Sequence, residues 1–229
     1  AGKSLFCLSA AVIVQLGLKE NPMHLAQKHD QEKILWLDYE SDQEEFTWRL
    51  RCIHNGLSPF YKDKLGHSHI DYRRSTLPII DEVDTLQNLV LDKGYGLVIV
   101  DSIAAACGVT DLNKPEGAIG LLSAMRQLKV TSWLIGHTAK SEGNKGASIF
   151  GSVFFTNYGR SVWEMKKVQE VGEDSLSIGL FHRKVNQSKL FKPLAFQFTF
   201  DKDAVTIKKQ DVKDVVEFSK ERRLEDQIT

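Results

Sequence analysis

The sequence opens with residues that suit the binding of a phosphate. Gly2, Lys3 and Ser4 match the last three positions of the pattern G-x-x-x-x-G-K-[ST], whose backbone N–H groups surround a phosphate. In that pattern the lysine contacts the β- and γ-phosphates and the hydroxyl binds Mg²⁺. A helix is predicted over residues 5–17, so a phosphate would lie at its positive amino end. We expect the glycine-rich half of the pattern, and the first strand of the fold, to lie upstream of this sequence.

Two predicted buried strands end in acidic side chains. Residues 33–40 (KILWLDYE) end in Asp38 and Glu40, and residues 95–102 (YGLVIVDS) carry Asp101. Ligands of open α/β sheets bind at the carboxyl ends of strands, so Asp101 has the position of a Mg²⁺-binding acid. A carboxylate after the other strand could polarise an attacking water. In the simpler alternative, these acids only cap the segments that follow them.

A third predicted strand, residues 131–137, ends in His137. This histidine would lie at the same edge of the sheet, where it could sense a terminal phosphate, although a lone histidine is more often structural. Residues 141–152 are rich in small and polar side chains, which is typical of a loop.

Strands that are continuous apolar runs and alternate with helices indicate a parallel sheet covered on both faces. Helices are predicted over 41–57, 79–94 and 116–129, the first with a capping box formed by Ser41 and Glu44. Beyond residue 140 the segments alternate in polarity, which favours antiparallel strands added at the edge of the sheet. A last helix is predicted over residues 214–228.

Length and composition exclude several classes of protein. The 229 residues fit one domain, 1–229, and 30 basic residues balance 30 acidic ones. Zero net charge argues against a wholly basic nucleic-acid binder, but it permits a ring with a few cationic loops. The apolar stretch Leu5–Leu18 is too short to cross a bilayer. Three distant cysteines indicate neither a disulfide framework nor a zinc site, so a cytoplasmic location is expected.

Six segments of the sequence resemble, in their order along the chain, the core of RecA-type ATPases, and most of all the plasmid- and phage-encoded RepA-like replicative helicases. The resemblance spans residues 1 to about 200. It implies an α/β, RecA-like fold: a mainly parallel twisted sheet with flanking helices and antiparallel strands added at the C-terminal edge. The six segments are AGKS, WLDYESDQE, GLVIVDSIAAACG, WLIGHTAK, FGSVFFTNYGRSVWEM and FHRKVNQSK.

The resemblance implies that ATP and Mg²⁺ are the cofactors and assigns a role to each matching residue. His137 matches the sensor position, where RecA and DnaB relatives carry glutamine. The other implied roles are nucleotide and Mg²⁺ ligands for Gly2, Lys3 and Ser4, catalytic base for Glu40, and Walker B acid for Asp101.

The resemblance also implies partners. Residues 141–152 match the loop that faces a central channel, where Lys140 and Lys145 would contact single-stranded DNA. Arg160 matches the arginine that RepA-like helicases insert into a neighbouring subunit's site. Lys184 and Asn186 form a K-x-N pair at the position where DnaB-like helicases carry K-x-R and use both cations on the neighbour's γ-phosphate. Because asparagine replaces the second cation here, Arg160 is the stronger candidate for that role.

The implied function is Mg²⁺-dependent ATP hydrolysis by a ring, hexameric in the helicase family, that acts as a DNA helicase in replication of a plasmid, phage or mobile element. Two alternatives stay open. One is a recombinase-like filament that uses ATP as a switch, and the other is a nucleotide-gated regulator or loader without turnover. Retention of Lys3, Glu40 and Asp101 argues against the regulator or loader.

Overall fold

The structure is a computed structural model that describes residues 2–26, 31–61, 70–109, 114–137 and 153–218. The chain divides into two compact units. The parallel-sheet unit comprises residues 31–47 and 68–159, and the antiparallel unit comprises residues 1–30, 48–67 and 160–229. The expectation of one domain over residues 1–229 stays a prediction.

Six helices and eight strands cover most of the described residues, with short 3₁₀ turns between some of them. In chain order they are α1 (Lys3–Leu16), β1 (Ile34–Asp38), α2 (Gln43–Leu57), β2 (Ile70–Arg74), α3 (Val83–Lys93), β3 (Leu97–Asp101), α4 (Ile103–Ala106), α5 (Pro115–Gln127), β4 (Thr131–Ile135), α6 (Val153–Tyr158), β5 (Ser161–Val168), β6 (Ser175–Val185), β7 (Leu194–Phe200) and β8 (Val205–Gln210).

The parallel-sheet unit contains four strands in the order β2-β1-β3-β4, and every neighbouring pair is parallel. β1 and β3 are central and buried along their whole length, which explains why both are continuous apolar runs. α3 and α5 contribute apolar side chains to the core around this sheet, among them Leu86, Val90, Leu121 and Met125. All carboxyl ends of the strands therefore lie along one edge.

The antiparallel unit contains four strands in the order β5-β6-β7-β8. On one face of this sheet, Phe6 of α1 packs on Phe196 and Phe198 at centroid distances of 5.7 and 6.5 Å. On the other face, Phe181 packs with Val212 and Phe218. The RecA-like α/β class is confirmed, and the predicted antiparallel strands form a four-stranded sheet of their own.

Two local features differ from the sequence-based prediction, and a third prediction lies mostly outside the described residues. α2 is capped one residue later than the proposed capping box, because Asp42 Oδ1 accepts from the backbone N–H of Glu45. The polar strand β2 has no counterpart in the sequence analysis. The predicted helix over 214–228 falls largely outside the described residues, which there show a 3₁₀ turn at Val212–Asp214 and a few helical residues up to Phe218.

In the part of the chain that the structure describes, no helix combines the length and the apolar character that crossing a bilayer requires.

Candidate active site

The carboxyl ends of β1, β3 and β4 bring the acidic residues and the histidine of the sequence analysis together. Asp38 and Asp101 are register partners on adjacent parallel strands, and Asp101 is paired with Ile135 on the other side. His137 follows β4 by two residues. The backbone N–H of Tyr39 continues the ladder by donating to the Asp101 carbonyl at 2.7 Å.

Asp38 is used to build the loop after β1. Its side chain is 2 % exposed, and its Oδ1 accepts from the backbone N–H groups of Glu40 and Ser41 at 2.9 and 2.8 Å. A carboxylate that accepts two backbone N–H groups in a buried position is a structural anchor. Of the two acids after β1, Asp38 therefore positions the loop and leaves Glu40 as the carboxylate that solvent can reach.

Glu40 is oriented by two neighbours at the strand ends. The Ser102 hydroxyl donates to Glu40 Oε1, and His137 Nε2 lies 3.4 Å from the same oxygen. Ser102 is fully buried, whereas the side chains of Glu40 and His137 are about half exposed. The arrangement holds one carboxylate oxygen in place while water has access to the side chain, which suits the acceptance of a proton from water.

Ser102 is a site residue that the sequence analysis did not single out. The available signal was a polar side chain directly after the acid that ends a buried strand, a position that follows Asp101 to the same edge of the sheet. The peptide bond between these two residues is cis.

Asp101 is 6 % exposed at the end of β3. The described residues contain no group of three or more His, Cys, Asp or Glu side chains arranged to hold a metal ion. Mg²⁺ in phosphate chemistry commonly uses one or two protein ligands together with substrate phosphates and water. One carboxylate at this strand end fits that requirement, and a metal cage made only of protein ligands does not.

Tyr39 lies between Asp38 and Glu40 and keeps its proton at neutral pH. Burial, with a smaller contribution from the negative charge of Glu82, raises the pKa of Tyr39 to about 12. The protonated hydroxyl donates to the Leu77 carbonyl at 3.2 Å. Tyr39 thus anchors the loop that carries the site carboxylate.

In the antiparallel unit, Gly2 precedes α1 with a φ of 107°, which disfavours any residue with a side chain. No side chain caps this helix start, and its first turn contains no acidic residue. Lys3 and Ser4 are half-buried in that turn. Since the first N–H groups of a helix need an acceptor, an uncapped and acid-free start fits a phosphate group.

The resemblance assigns three residues to a neighbouring subunit's site, and these lie close together in the antiparallel unit: Arg160, Lys184 and Asn186. Arg160 is exposed directly before β5, and its carbonyl accepts from the backbone N–H of Asn186 at 3.0 Å. Lys184, near the end of β6, is the register partner of Val162. The structure therefore places Arg160 and the Lys184/Asn186 pair at one end of the β5–β6 hairpin.

Two predicted DNA-contacting residues, Lys140 and Lys145, lie outside the described residues, as does the whole predicted loop 141–152. Their roles stay predictions.

The comparisons with known proteins agree on a class of fold. A family model described as "AAA domain" matches residues 1–143, more than half of the chain. No curated protein matches the sequence. Among solved structures, a KaiC-like protein from the hyperthermophilic archaeon Pyrococcus horikoshii is similar with a TM-score of 0.55 and 15% identity, over 90% of this chain and 83% of that chain. At this identity the likeness shows the fold alone.

Proposed function

Since the chain belongs to the AAA domain family, we propose that it is a RecA-like ATPase in which Glu40 activates the water that cleaves ATP. The observation that carries this proposal is the Glu40 carboxylate. It is reachable by solvent, oriented by the buried Ser102 hydroxyl, and next to the buried Asp101 at the end of the adjacent strand.

In the proposed step, Glu40 accepts a proton from water while the water oxygen forms a bond to the γ-phosphorus. The bond between the γ-phosphorus and the oxygen that bridges to the β-phosphate breaks, and ADP leaves with that electron pair. Phosphoryl transfer depends mainly on positioning and on stabilisation of charge. The hydrogen bond from Ser102 and the contact with His137 supply the positioning of the base.

The other residues bind the nucleotide. Lys3 at the start of α1 would contact the terminal phosphates, and Ser4 would offer a hydroxyl ligand for Mg²⁺. Asp101 would hold the metal through water. Mg²⁺ supplies charge neutralisation at the phosphates when bound.

We extend the proposal to an assembly in which Arg160 acts on the neighbouring subunit's ATP. Head-to-tail contacts that close produce a ring, and such a contact brings a cation from one subunit to the γ-phosphate held by the next. An arginine supplied in this way contributes about 10³–10⁵ to the rate. Arg160 is exposed and fixed through its backbone to Asn186, which supports this role, and Lys184 lies near as a second cation.

Mixed assemblies test this contact between subunits. Arg160→Ala and Glu40→Gln subunits should each bind ATP and hydrolyse little of it. When they exchange into common assemblies, an interface with Glu40 from one subunit and Arg160 from the other is intact, and turnover should rise above that of either variant. Mixtures no more active than their components would exclude action of Arg160 in trans.

We further propose that the ATPase is a DNA helicase in replication of a plasmid, phage or mobile element, with six subunits around single-stranded DNA. Lys140 and Lys145 would contact the strand from loop 141–152. A strand-displacement assay tests this role: ATP-dependent separation of a tailed duplex supports it. DNA-stimulated ATP turnover with no strand separation would favour the recombinase-like filament instead.

ATPase activity itself is tested by phosphate release in the presence of Mg²⁺ and after its removal by a chelator. Activity should require the metal, and Lys3→Ala should weaken nucleotide binding, measured by a fluorescent ATP analogue. An exposed lysine outside α1, such as Lys202, serves as the matched control because Lys202→Ala removes the same charge from a turn before β8. Unchanged nucleotide affinity in Lys3→Ala would contradict the assignment.

A further inference from the structure

Three stacked rings on the antiparallel sheet have no part in the proposed hydrolysis. The rings of Trp163 on β5 and His182 on β6 lie 4.1 Å apart between centroids, with planes 5° apart. Phe191, between β6 and β7, stacks against both, at 5.5 Å from His182 and 6.1 Å from Trp163. We name these three residues the aromatic platform.

Hydrogen bonds hold the rings of His182 and Trp163 and the backbone of Phe191. The backbone N–H of Phe191 donates to His182 Nδ1 at 3.1 Å, so the proton of the neutral imidazole lies on Nε2 and is donated to Ser161 Oγ at 3.0 Å. Trp163 Nε1 donates to the same hydroxyl oxygen, also at 3.0 Å. Burial lowers the pKa of His182, which favours this neutral form. The rings of His182 and Trp163 are therefore oriented by hydrogen bonds, and Phe191 stacks against both of them.

The two outer rings are open to solvent although the histidine beneath them is not. Phe191 is 62 % exposed and Trp163 is 36 % exposed, whereas His182 is 4 % exposed. An exposed aromatic ring that is held in one orientation loses little conformational freedom when a flat group stacks on it. The platform thus offers ring faces to a planar ligand.

The segment that contains His182 and Phe191 is basic, and Arg183 within it is paired with Glu164 of β5 at 2.7 Å. Between Ser175 and Phe200 the sequence contains no acidic residue, and its basic residues are Arg183, Lys184, Lys189 and Lys192. Lys189 and Lys192 are exposed and flank Phe191 at two and one residues' distance along the chain. In a chain with zero net charge, this is a local excess of positive charge next to exposed rings.

We propose that the aromatic platform stacks an unpaired base of single-stranded nucleic acid, with Lys189 and Lys192 in contact with the neighbouring phosphates. Rings and cations side by side are the combination that binds single strands with little regard to sequence, because every base has a π-face and every nucleotide carries a phosphate. A paired base in a duplex does not offer its face. None of these residues belongs to segment 141–152, and stacking at the platform does not require ATP hydrolysis.

The first test measures binding of a labelled oligothymidine strand to the full chain without nucleotide, by fluorescence anisotropy. Phe191→Ala should weaken binding about five-fold or more, since stacking of one base is worth about 1–3 kcal/mol. Phe191→Leu keeps apolar bulk and should show the same loss, whereas Phe191→Tyr should retain affinity. Leu190→Ala, which removes an equally exposed apolar side chain from the same segment, is the control.

An abasic strand of the same length separates stacking from phosphate contact. The chain should bind it more weakly than oligothymidine, and Phe191→Ala should cause no further loss. Lys189→Ala and Lys192→Ala should each lower the slope of log affinity against log salt by about 0.7 on either strand.

Several results would overturn the proposal. The first is that Phe191→Ala binds oligothymidine as tightly as the unchanged chain. The second is that Phe191→Ala loses as much affinity for the abasic strand as for oligothymidine. The third is that free thymidine monophosphate competes as effectively as the strand. Loss of self-association without loss of strand binding would assign the platform to contacts between copies of the chain. Because ATP is absent throughout, these outcomes are independent of whether the chain hydrolyses ATP.

Discussion

Replacing Asp38 separates the roles of the two carboxylates after β1. In Asp38→Ala, the backbone N–H groups of Glu40 and Ser41 lose a partly buried charged acceptor. At about 1.5 kcal/mol for each hydrogen bond, unfolding should be easier by about 3 kcal/mol, which corresponds to a melting temperature lower by about 6–12 °C. In Asp38→Asn, the side-chain carbonyl still accepts both N–H groups, so the loss should stay near 1 kcal/mol.

The same pair of variants predicts a contrast in turnover. Phosphate release by Asp38→Ala should fall about 10²-fold at a temperature where the variant is folded, because the loop no longer holds Glu40 in place. Asp38→Asn should retain turnover within about three-fold. Circular dichroism and steady-state phosphate release measure the two effects. If Asp38→Asn loses turnover as fully as Asp38→Ala while its melting temperature is unchanged, Asp38 is itself the base and the assignment to Glu40 is wrong.

Three further predictions concern the site, pH and packing. Ser102→Ala removes the hydroxyl that orients the site carboxylate, so kcat should fall about ten-fold or more with nucleotide affinity unchanged; a fall in affinity alone would contradict this. Burial lowers the pKa of His54 in the folded chain below its usual 6.5, so as the pH falls the unfolded chain binds a proton at this histidine before the folded chain does. The free energy of unfolding should therefore decrease below about pH 6.5. His54→Gln should reduce this decrease in urea unfolding, and an identical pH dependence would refute the attribution. A Cβ at Gly56 would lie 1.9 Å from the Val205 carbonyl oxygen, so Gly56→Ala should destabilise the chain by about 2 kcal/mol or more, whereas Gly120→Ala, in open space on α5, should be neutral or stabilising in the same thermal melts.

The central part of the fold was predictable because burial shapes the sequence directly. β1 and β3 are buried on both faces, so each is an uninterrupted apolar run that ends in an acid. The end of α3 was marked by Gly94, which adopts a φ of 68° that favours glycine. β2 was not predicted because its sequence, IDYRR, is polar at an edge position where only its first residue is buried.

The site was predictable only in part, because strand ends show which residues lie at an edge but not what each side chain contacts. Asp38 and Glu40 are acids two residues apart. Only the hydrogen bonds to Asp38 Oδ1 identify Asp38 as the structural anchor and leave Glu40 as the proposed base. The sequence did not mark Ser102 as a site residue, since a single serine after a strand is common. The aromatic platform brings together residues from two strands and a connecting segment, which no local spacing reveals.

The central claim, that Glu40 is the base of an ATPase, is tested most directly by measuring ATP binding and ATP turnover in Glu40→Gln. The glutamine keeps the size of the side chain and an oxygen that can accept from Ser102, but it cannot take a proton from water. In Glu40→Gln, affinity for an ATP analogue should be unchanged, and phosphate release should fall about 10²-fold or more. Phosphate release close to that of the unchanged chain would contradict it.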